Sequence, residues 1–187
     1  MASALWLVRH GETAWTLSGA HTSYTELPLT EEGERKAVDV GKKLAGKKFA
    51  AVFTSPMARA METCRLAGYG DGAIVSEDLR EWNYGCYEGL TTAEIRKDSP
   101  GWTIWNAAPE GGETIEQVAT RARRVIETVP EGEVAIFGHG HMLRVLAACW
   151  LEVTPEMGRC LALSTGSISV LGYERTTRVV QMWNETA

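Results

Sequence analysis

Arg9-His10-Gly11-Glu12-Thr13 follows directly on the apolar run Leu5-Trp6-Leu7-Val8. The arrangement sets a nucleophilic nitrogen beside a fixed positive charge. Histidine offers an unprotonated lone pair and arginine offers planar donors for phosphate oxygens, a pairing suited to attack on a phosphoryl group. A second histidine tetrad, Gly138-His139-Gly140-His141, also follows an apolar run, Val134 to Phe137. Its glycines let backbone amides approach a bound anion, and a helix after it would aim its positive end at the same place. Two further segments answer these: Ser55-Pro56 leads to Arg59, and Leu79-Arg80 leads to Glu81. Cleavage of a phosphate ester needs an acid for the departing alkoxide, and Glu81 is the best-placed carboxylate for that task. Each residue alone has a blander reading, such as a surface carboxylate for Glu81 or a helix-start residue bonding its own backbone for His141.

These residues depend on the elements that carry them. Leu5 to Val8 reads as a short buried strand, which puts His10 at its C-terminal end, where open α/β sheets collect their ligands. Thr30, followed by Glu31 and Glu32, opens a helix with Ala37, Val40 and Leu44 at helical spacing, and Lys42 and Lys43 suit its negative end. Ala50 to Phe53 reads as a second strand. Ser55 is expected to cap the next helix with Pro56 as its first residue, which brings Arg59 to the sheet edge that holds His10. Thr114 and Gln117 form a capping-box pattern before Ile115, Val118, Ala122, Val125, Ile126 and Val129, and Arg121, Arg123 and Arg124 read as the solvated face of that helix. Val134 to Phe137 reads as a third strand, followed by a helix from about Met142 to Trp150. Ser167 to Tyr173 and Val179 to Trp183 read as a hairpin. Strands alternating with helices predict a mainly parallel sheet covered by helices. Between Glu81 and Gly112 the pattern is irregular and rich in Trp and Gly, as in a small lid or pocket wall.

With 187 residues and 44% hydrophobic content the chain suits one domain with an ample core. The net charge of −5 argues against nucleic acid or a membrane surface as the main partner, yet permits a locally positive pocket for a small anion. Cys64, Cys86, Cys149 and Cys160 form no CxxC pair, and no secretory leader precedes Leu5, so a reduced, cytoplasmic setting is expected. No apolar stretch reaches the ~20 residues of a spanning helix.

Arg9-His10-Gly11-Glu12-Thr13, Ser55-Pro56-Met57-Ala58-Arg59-Ala60, Leu79-Arg80-Glu81-Trp82-Asn83-Tyr84-Gly85 and Gly138-His139-Gly140, in that order, resemble the histidine phosphatase superfamily, its phosphoglycerate-mutase-like branch, over essentially the whole chain. The resemblance implies an α/β fold, a three-layer α/β/α sandwich with a mainly parallel sheet. It implies a single histidine phosphatase domain over residues 1–187, with a small lid-like insertion at about 82–112. By position it makes His10 the phosphorylated nucleophile, Arg9, Arg59 and a cationic His139 the phosphate pocket, and Glu81 the proton donor. It calls for no metal or other cofactor. A zinc site built from His10, His139 and His141 is disfavoured, because no cysteine or carboxylate joins them at ligand spacing and the phosphohistidine chemistry needs His10 free.

Members that act as cofactor-dependent phosphoglycerate mutases carry an Asn where this chain has Thr16, a Lys near Thr92 and paired arginines in the region of Trp102 to Ala108. Their absence favours hydrolysis over retention of a doubly phosphorylated intermediate. The strings around His21, Tyr84 and His141 are similar to acid phosphatase and sedoheptulose-1,7-bisphosphatase members. From that likeness Thr16, His21, Thr22, Ser55, Tyr84, His141 and Arg144 are expected to contact the substrate, with His21 standing where the bisphosphatases have an aromatic residue. The expected activity is a metal-independent phosphatase on small phosphomonoesters, sugar phosphates or bisphosphates among them. A mutase and a non-enzymatic binding protein on the same fold are the alternatives, and the oligomeric state is left open.

Overall fold

The computed structural model describes residues 2–186. Its central sheet has six strands: β1 (Ala2–Arg9), β2 (Ala51–Thr54), β3 (Ile74–Val75), β4 (Gly132–Gly138), β5 (Ile168–Glu174) and β6 (Thr177–Glu185), in the spatial order β3-β2-β4-β1-β5-β6. The first four strands of that order run parallel, and β5 and β6 close the sheet as an antiparallel hairpin. The sheet is therefore mainly parallel, as the alternating pattern predicts.

Both faces of the sheet are covered. Leu5, Leu7, Val134 and Ile136 face α5 (Ile115–Thr128) and α6 (Gly140–Trp150), packing with Val118, Ala122, Leu143 and Leu146. Val8, Ala135 and Phe137 turn the opposite way onto α2 (Glu31–Leu44) and α3 (Ala58–Leu66), through Val40, Leu44 and Cys64. Neighbours along one strand thus feed two cores, which is why β1 and β4 read as continuous apolar runs rather than alternating ones. The result is a three-layer α/β/α sandwich.

Helix ends follow local chemistry. Thr30 accepts the Gly33 amide at the start of α2, with Glu31, Glu32 and Glu34 in the first turn and Lys42 and Lys43 in the last. Thr114 and Gln117 make both bonds of the capping box on α5. Two short helices, α1 (Ala14–Ser18) and α4 (Thr92–Asp98), and the two-residue β3 are too brief to show a period in sequence. Each short helix nevertheless has a capping box, Thr13 with Thr16 and Thr91 with Glu94.

Several boundaries differ from expectation. β2 spans Ala51–Thr54 rather than 50–53, and α3 begins at Ala58 with Met57 as an N-cap that makes no side-chain bond. Ser55 is not the N-cap: its Oγ accepts the Met57 amide at 3.3 Å, just ahead of the helix, and lies 2.7 Å from His139 Nε2. α6 begins at Gly140, two residues earlier than the apolar pattern suggests, and the hairpin turns tightly at Arg175, which adopts φ 57°. Among the described residues no helix is long and apolar enough to cross a membrane.

The strand order positions the site. β4 lies between β1 and β2, and its register sets Arg9 opposite Gly138. The chain leaves these neighbouring strands toward different helices, opening a crevice at their carboxyl ends. Gly11 turns the chain out of β1 so closely against α2 that a Cβ on it would lie 2.4 Å from the Gly33 carbonyl oxygen.

Candidate active site

Parallel pairing of β1 with β4 brings the two histidine segments together. The His10 amide donates to the Gly138 carbonyl at 3.0 Å, and the His10 and His139 rings meet edge to face with centroids 5.1 Å apart. His10 is buried, and its Nδ1 lies 2.7 Å from the Gly11 carbonyl oxygen. A carbonyl only accepts, so Nδ1 carries the hydrogen and Nε2 keeps its lone pair. Burial, reinforced by the Arg9 and Arg59 charges, holds the His10 pKa well below the ordinary histidine value. These influences favour a neutral ring with a free lone pair on Nε2.

His139 is fully buried at the N-cap position of α6, with Nε2 2.7 Å from Ser55 Oγ. Burial and then Arg59, His10 and Arg9 hold its pKa well below the usual range. In the ligand-free site burial and the two guanidiniums oppose a charge on His139. Ser55, expected against the substrate, is hydrogen-bonded to His139, and none of Ser55, His139 and Arg59 is among the residues that line the cavity.

Arg59 is fully buried in the first turn of α3, where its Nη atoms donate to the carbonyls of Thr22, Ser23 and Thr25. That loop is fixed in turn by Glu88, whose carboxylate accepts the Ser23 and Thr25 amides at 2.9 to 3.1 Å and the Ser23 hydroxyl at 2.5 Å. Arg9, at the last position of β1, donates through Nη1 to the Leu163 carbonyl. Among the described residues the buried side-chain polar atoms without a partner include Arg9 Nε, Arg59 Nε and His139 Nδ1. Buried nitrogens left without a partner beside His10 are costly unless a ligand arrives to meet them.

Glu81 is buried at the mouth of this pocket. Its Oε1 accepts the amides of Trp82 at 2.9 Å and Met142 at 2.8 Å, and its Oε2 accepts the amide of His141 at 3.0 Å. The carboxylate thereby caps α6 from outside, in place of the side-chain cap that His139 does not supply. Arg121 secures the segment that carries Glu81: it pairs in a fork with Glu113 and donates to the Asp78 and Arg80 carbonyls. Sequence reasoning read Arg121 as part of a solvated face and missed this role. The carbonyls of a neighbouring irregular segment leave no periodic signal, so only Arg123 and Arg124 behave as expected.

The cavity in front of His10 measures about 360 Å³. Arg9, His10, Thr16, His21, Thr22, Glu81, Tyr84, His141 and Arg144 all line it, together with Trp15, Trp102, Trp105 and Arg96. Thr16 spends its hydroxyl on Thr13, accepting that amide at 2.8 Å. Tyr84 and His141 are joined at 2.6 Å, Oη to Nδ1. Burial and the Glu81 charge push the Tyr84 phenol well above its usual pKa, while burial, Arg144, His21 and Arg9 hold His141 well below. A neutral phenol donating to a neutral imidazole leaves the hydrogen on His141 Nε2. His21 has the opposite polarity: Nδ1 donates to the Leu90 carbonyl at 2.8 Å, so its Nε2 accepts. The two rings lie parallel, 6.3 Å apart. Trp102 and Trp105 both pack and line the cavity, Trp102 edge-on to Tyr87 and His21, Trp105 edge-on to Trp82 and His141.

Comparison with known proteins agrees with this geometry. An acid phosphatase of Mycobacterium tuberculosis is 36% identical over 180 residues, 93% of this chain and 88% of that protein. The sedoheptulose 1,7-bisphosphatase of Saccharomyces cerevisiae is 36% identical over 179 residues, 77% of this chain and 66% of that protein. A solved structure from Mycobacterium tuberculosis, the product of a functionally characterised open reading frame, superimposes with a TM-score of 0.93 at 35% identity, covering 100% of this chain and 99% of its own. The pattern of the histidine phosphatase superfamily, branch 1, matches residues 5–186, and the chain, a phosphoric monoester hydrolase by its close relatives, belongs to that family.

Proposed function

We propose that the protein hydrolyses small phosphomonoesters, sugar phosphates in particular, through a phosphohistidine formed on His10. The observation that carries this reading is the set of unpartnered buried nitrogens, Arg9 Nε, Arg59 Nε and His139 Nδ1, around His10. A phosphoryl group supplies acceptors to both guanidinium nitrogens, and to His139 Nδ1 when that atom carries a hydrogen. Because the donors are already in place, they need not reorganise as charge develops on the equatorial oxygens.

In the first step the His10 Nε2 lone pair attacks phosphorus in line, an N–P bond forms and the P–O bond to the leaving group breaks. Glu81 gives its proton to the departing oxygen, releasing the alcohol. In the second step Glu81 takes a proton from water as the water attacks the phosphohistidine, and inorganic phosphate leaves. Binding of the dianion offsets the opposing guanidinium charges on His139, whose Nδ1 then donates to a phosphoryl oxygen. Outside the phosphoryl site, His21 Nε2 as an acceptor and the His141 Nε2 hydrogen as a donor face one cavity, an alternation that matches the hydroxyls of a polyol. The yeast relative's named substrate is of this class.

The test is phosphate release in excess EDTA from a panel of sugar phosphates and p-nitrophenyl phosphate, with His10→Ala as the control. Wild-type turnover, a trapped acid-labile phosphoprotein and a loss on the order of 10⁴-fold in the variant are expected. Full turnover by His10→Ala would overturn the nucleophile. Phosphoryl transfer to an added phosphorylated acceptor in excess of release to water would favour a mutase.

A further inference from the structure

Two of the three arginines in the middle of α5 behave as surface groups. Arg123 and Arg124 are half-exposed, and Arg124 meets the Asp78 carboxylate at the protein surface. Arg121 does not: its side chain and that of Glu113 are only 13% and 19% exposed, and the two join as a fork with both bonds at 2.8 Å.

This pair is committed to one stretch of backbone. On the N-terminal side of Glu81, Arg121 Nη1 donates to the carbonyls of Asp78 at 2.7 Å and Arg80 at 2.9 Å. On the C-terminal side, the Glu113 carboxylate accepts the Asn83 amide at 2.9 Å, its carbonyl accepts the Trp82 indole at 2.8 Å and its amide donates to the Asn83 carbonyl at 3.0 Å. Residues 80, 82 and 83 are thus tied to the pair, while the Glu81 carboxylate between them reaches across to the His141 and Met142 amides. The same guanidinium touches α6, with Nη1 3.6 Å from Met142 Sδ. The two walls that meet at the Glu81 carboxylate, its own segment and the first turn of α6, therefore share one cation. Neither Arg121 nor Glu113 lines the cavity.

Stability alone does not account for the arrangement. A buried ion pair gains little over apolar residues of the same volume once desolvation is counted. Between Leu79 and Gly85 the chain is neither helix nor strand, so its own backbone pattern does not hold Glu81 in one place. A proton donor must lie within hydrogen-bond reach of the departing oxygen, and misplacement by about 1 Å costs on the order of 10²-fold.

We infer that the pair of Arg121 with Glu113 is the positioning device of the proton donor. It holds the Glu81 carboxylate at the leaving oxygen, and so sets how far the rate depends on the basicity of the alcohol that departs. This rests on the phosphatase reading above, with Glu81 as the acid.

The test is kcat/KM on phenyl phosphate and p-nitrophenyl phosphate, esters of similar shape whose leaving groups differ in basicity. That constant covers the steps up to release of the alcohol, in which Glu81 donates. Arg121→Met should lose at least about tenfold more on phenyl phosphate than on p-nitrophenyl phosphate, as Glu81→Gln does, and Arg121→Lys should restore part of the difference. Added to Glu81→Gln, the same change should alter the ratio of the two rates by less than about twofold, because the donor through which it acts is already gone. Arg124→Met, which breaks only the surface pair with Asp78, should leave the ratio at its wild-type value. The double variant Arg121→Met with Glu113→Gln removes both charges together, leaves neither buried alone, and reads the same ratio if the single variant does not fold. Equal losses on the two esters, or a steepened ratio that persists undiminished in the Glu81→Gln background, would overturn the positioning role. Equal losses in Glu81→Gln itself would remove the donor and this inference with it. Failure of the phosphatase reading would look different, as absence of release from either ester by wild type.

Discussion

Glu81 Oε1 lies 2.8 Å from the Met142 amide nitrogen, so the proposed proton donor is also the cap that satisfies the first turn of α6. One carboxylate couples the irregular segment after β3 to the helix that starts at the second histidine motif. Its chemistry and its structural duty are separable by choice of leaving group.

Glu81→Gln should depress kcat on a sugar phosphate on the order of 10²- to 10⁴-fold, because an alkoxide leaves poorly without a proton. On p-nitrophenyl phosphate, whose leaving phenolate needs little help, the loss should be at least tenfold smaller. Steady-state rates on the two substrates decide it, and equal losses on both would remove Glu81 from the proton-transfer step. Chemical unfolding should show a cost of about 1–2 kcal/mol for the amide bond that Gln cannot accept.

Ser55→Ala should strand the Nε2 of a fully buried imidazole. A destabilisation of about 1–3 kcal/mol in urea unfolding is expected. Vanadate binding should weaken as well, since the orientation of His139 is no longer fixed from behind. An unchanged unfolding midpoint would mean that His139 finds another partner.

Glu88→Gln replaces a carboxylate that meets only donors with an amide that brings donors of its own. The loop 22–25 should loosen, and with it the carbonyl cradle of Arg59. Vanadate affinity and kcat/KM should fall about tenfold with p-nitrophenyl phosphate, a substrate that touches none of Glu88, Ser23 or Thr25. Titration of vanadate against both proteins makes the comparison, and equal affinity would make Glu88 a scaffold residue only.

Stability should be lost on the acid side. His10, His139 and His141 all have pKa values held well below the ordinary histidine value in the fold, chiefly by burial. In the unfolded chain they titrate near 6.5. Below that pH the unfolded state takes up protons that the native state refuses, so the stabilisation is complete above about pH 6.5 and declines as pH falls toward the folded values. Three such groups give a slope approaching about 4 kcal/mol per pH unit. Unfolding midpoints measured from pH 7 to 5 should drop accordingly, and saturating vanadate should flatten the profile. Because His10 stays neutral, the acid limb of kcat/KM should lie below pH 6.5, and a limb at or above that value would contradict its environment.

Much of this site was legible before any coordinates. Arg9, His10, Arg59 and His139 stand at the ends of strands or the starts of helices whose patterns are strong, so their convergence follows from the parallel order, whereas Glu81 sits in the irregular segment after β3. Ser55 misled because a Ser-Pro pair is a good helix start, and nothing local reveals that the imidazole at the start of α6 meets the hydroxyl. Arg121 and Glu88 were missed for a related reason: their partners are backbone groups of irregular segments distant in sequence. Arg96 belongs to a helix of seven residues, too short to announce which face it turns to the cavity.

The pairing of β1 with β4 and β5 also has a consequence for synthesis. A ribosome delivers His10 early and then makes most of the chain before β4 and α6 exist to complete the pocket. Throughout that interval β1 is an apolar strand without either of its neighbours, a segment for chaperones to shield rather than an enzyme in waiting. A chain that ends before β4 and α6 lacks His139 and His141 and has no complete pocket. Activity is a report that the last third of the protein has been translated and threaded into place beside the first strand.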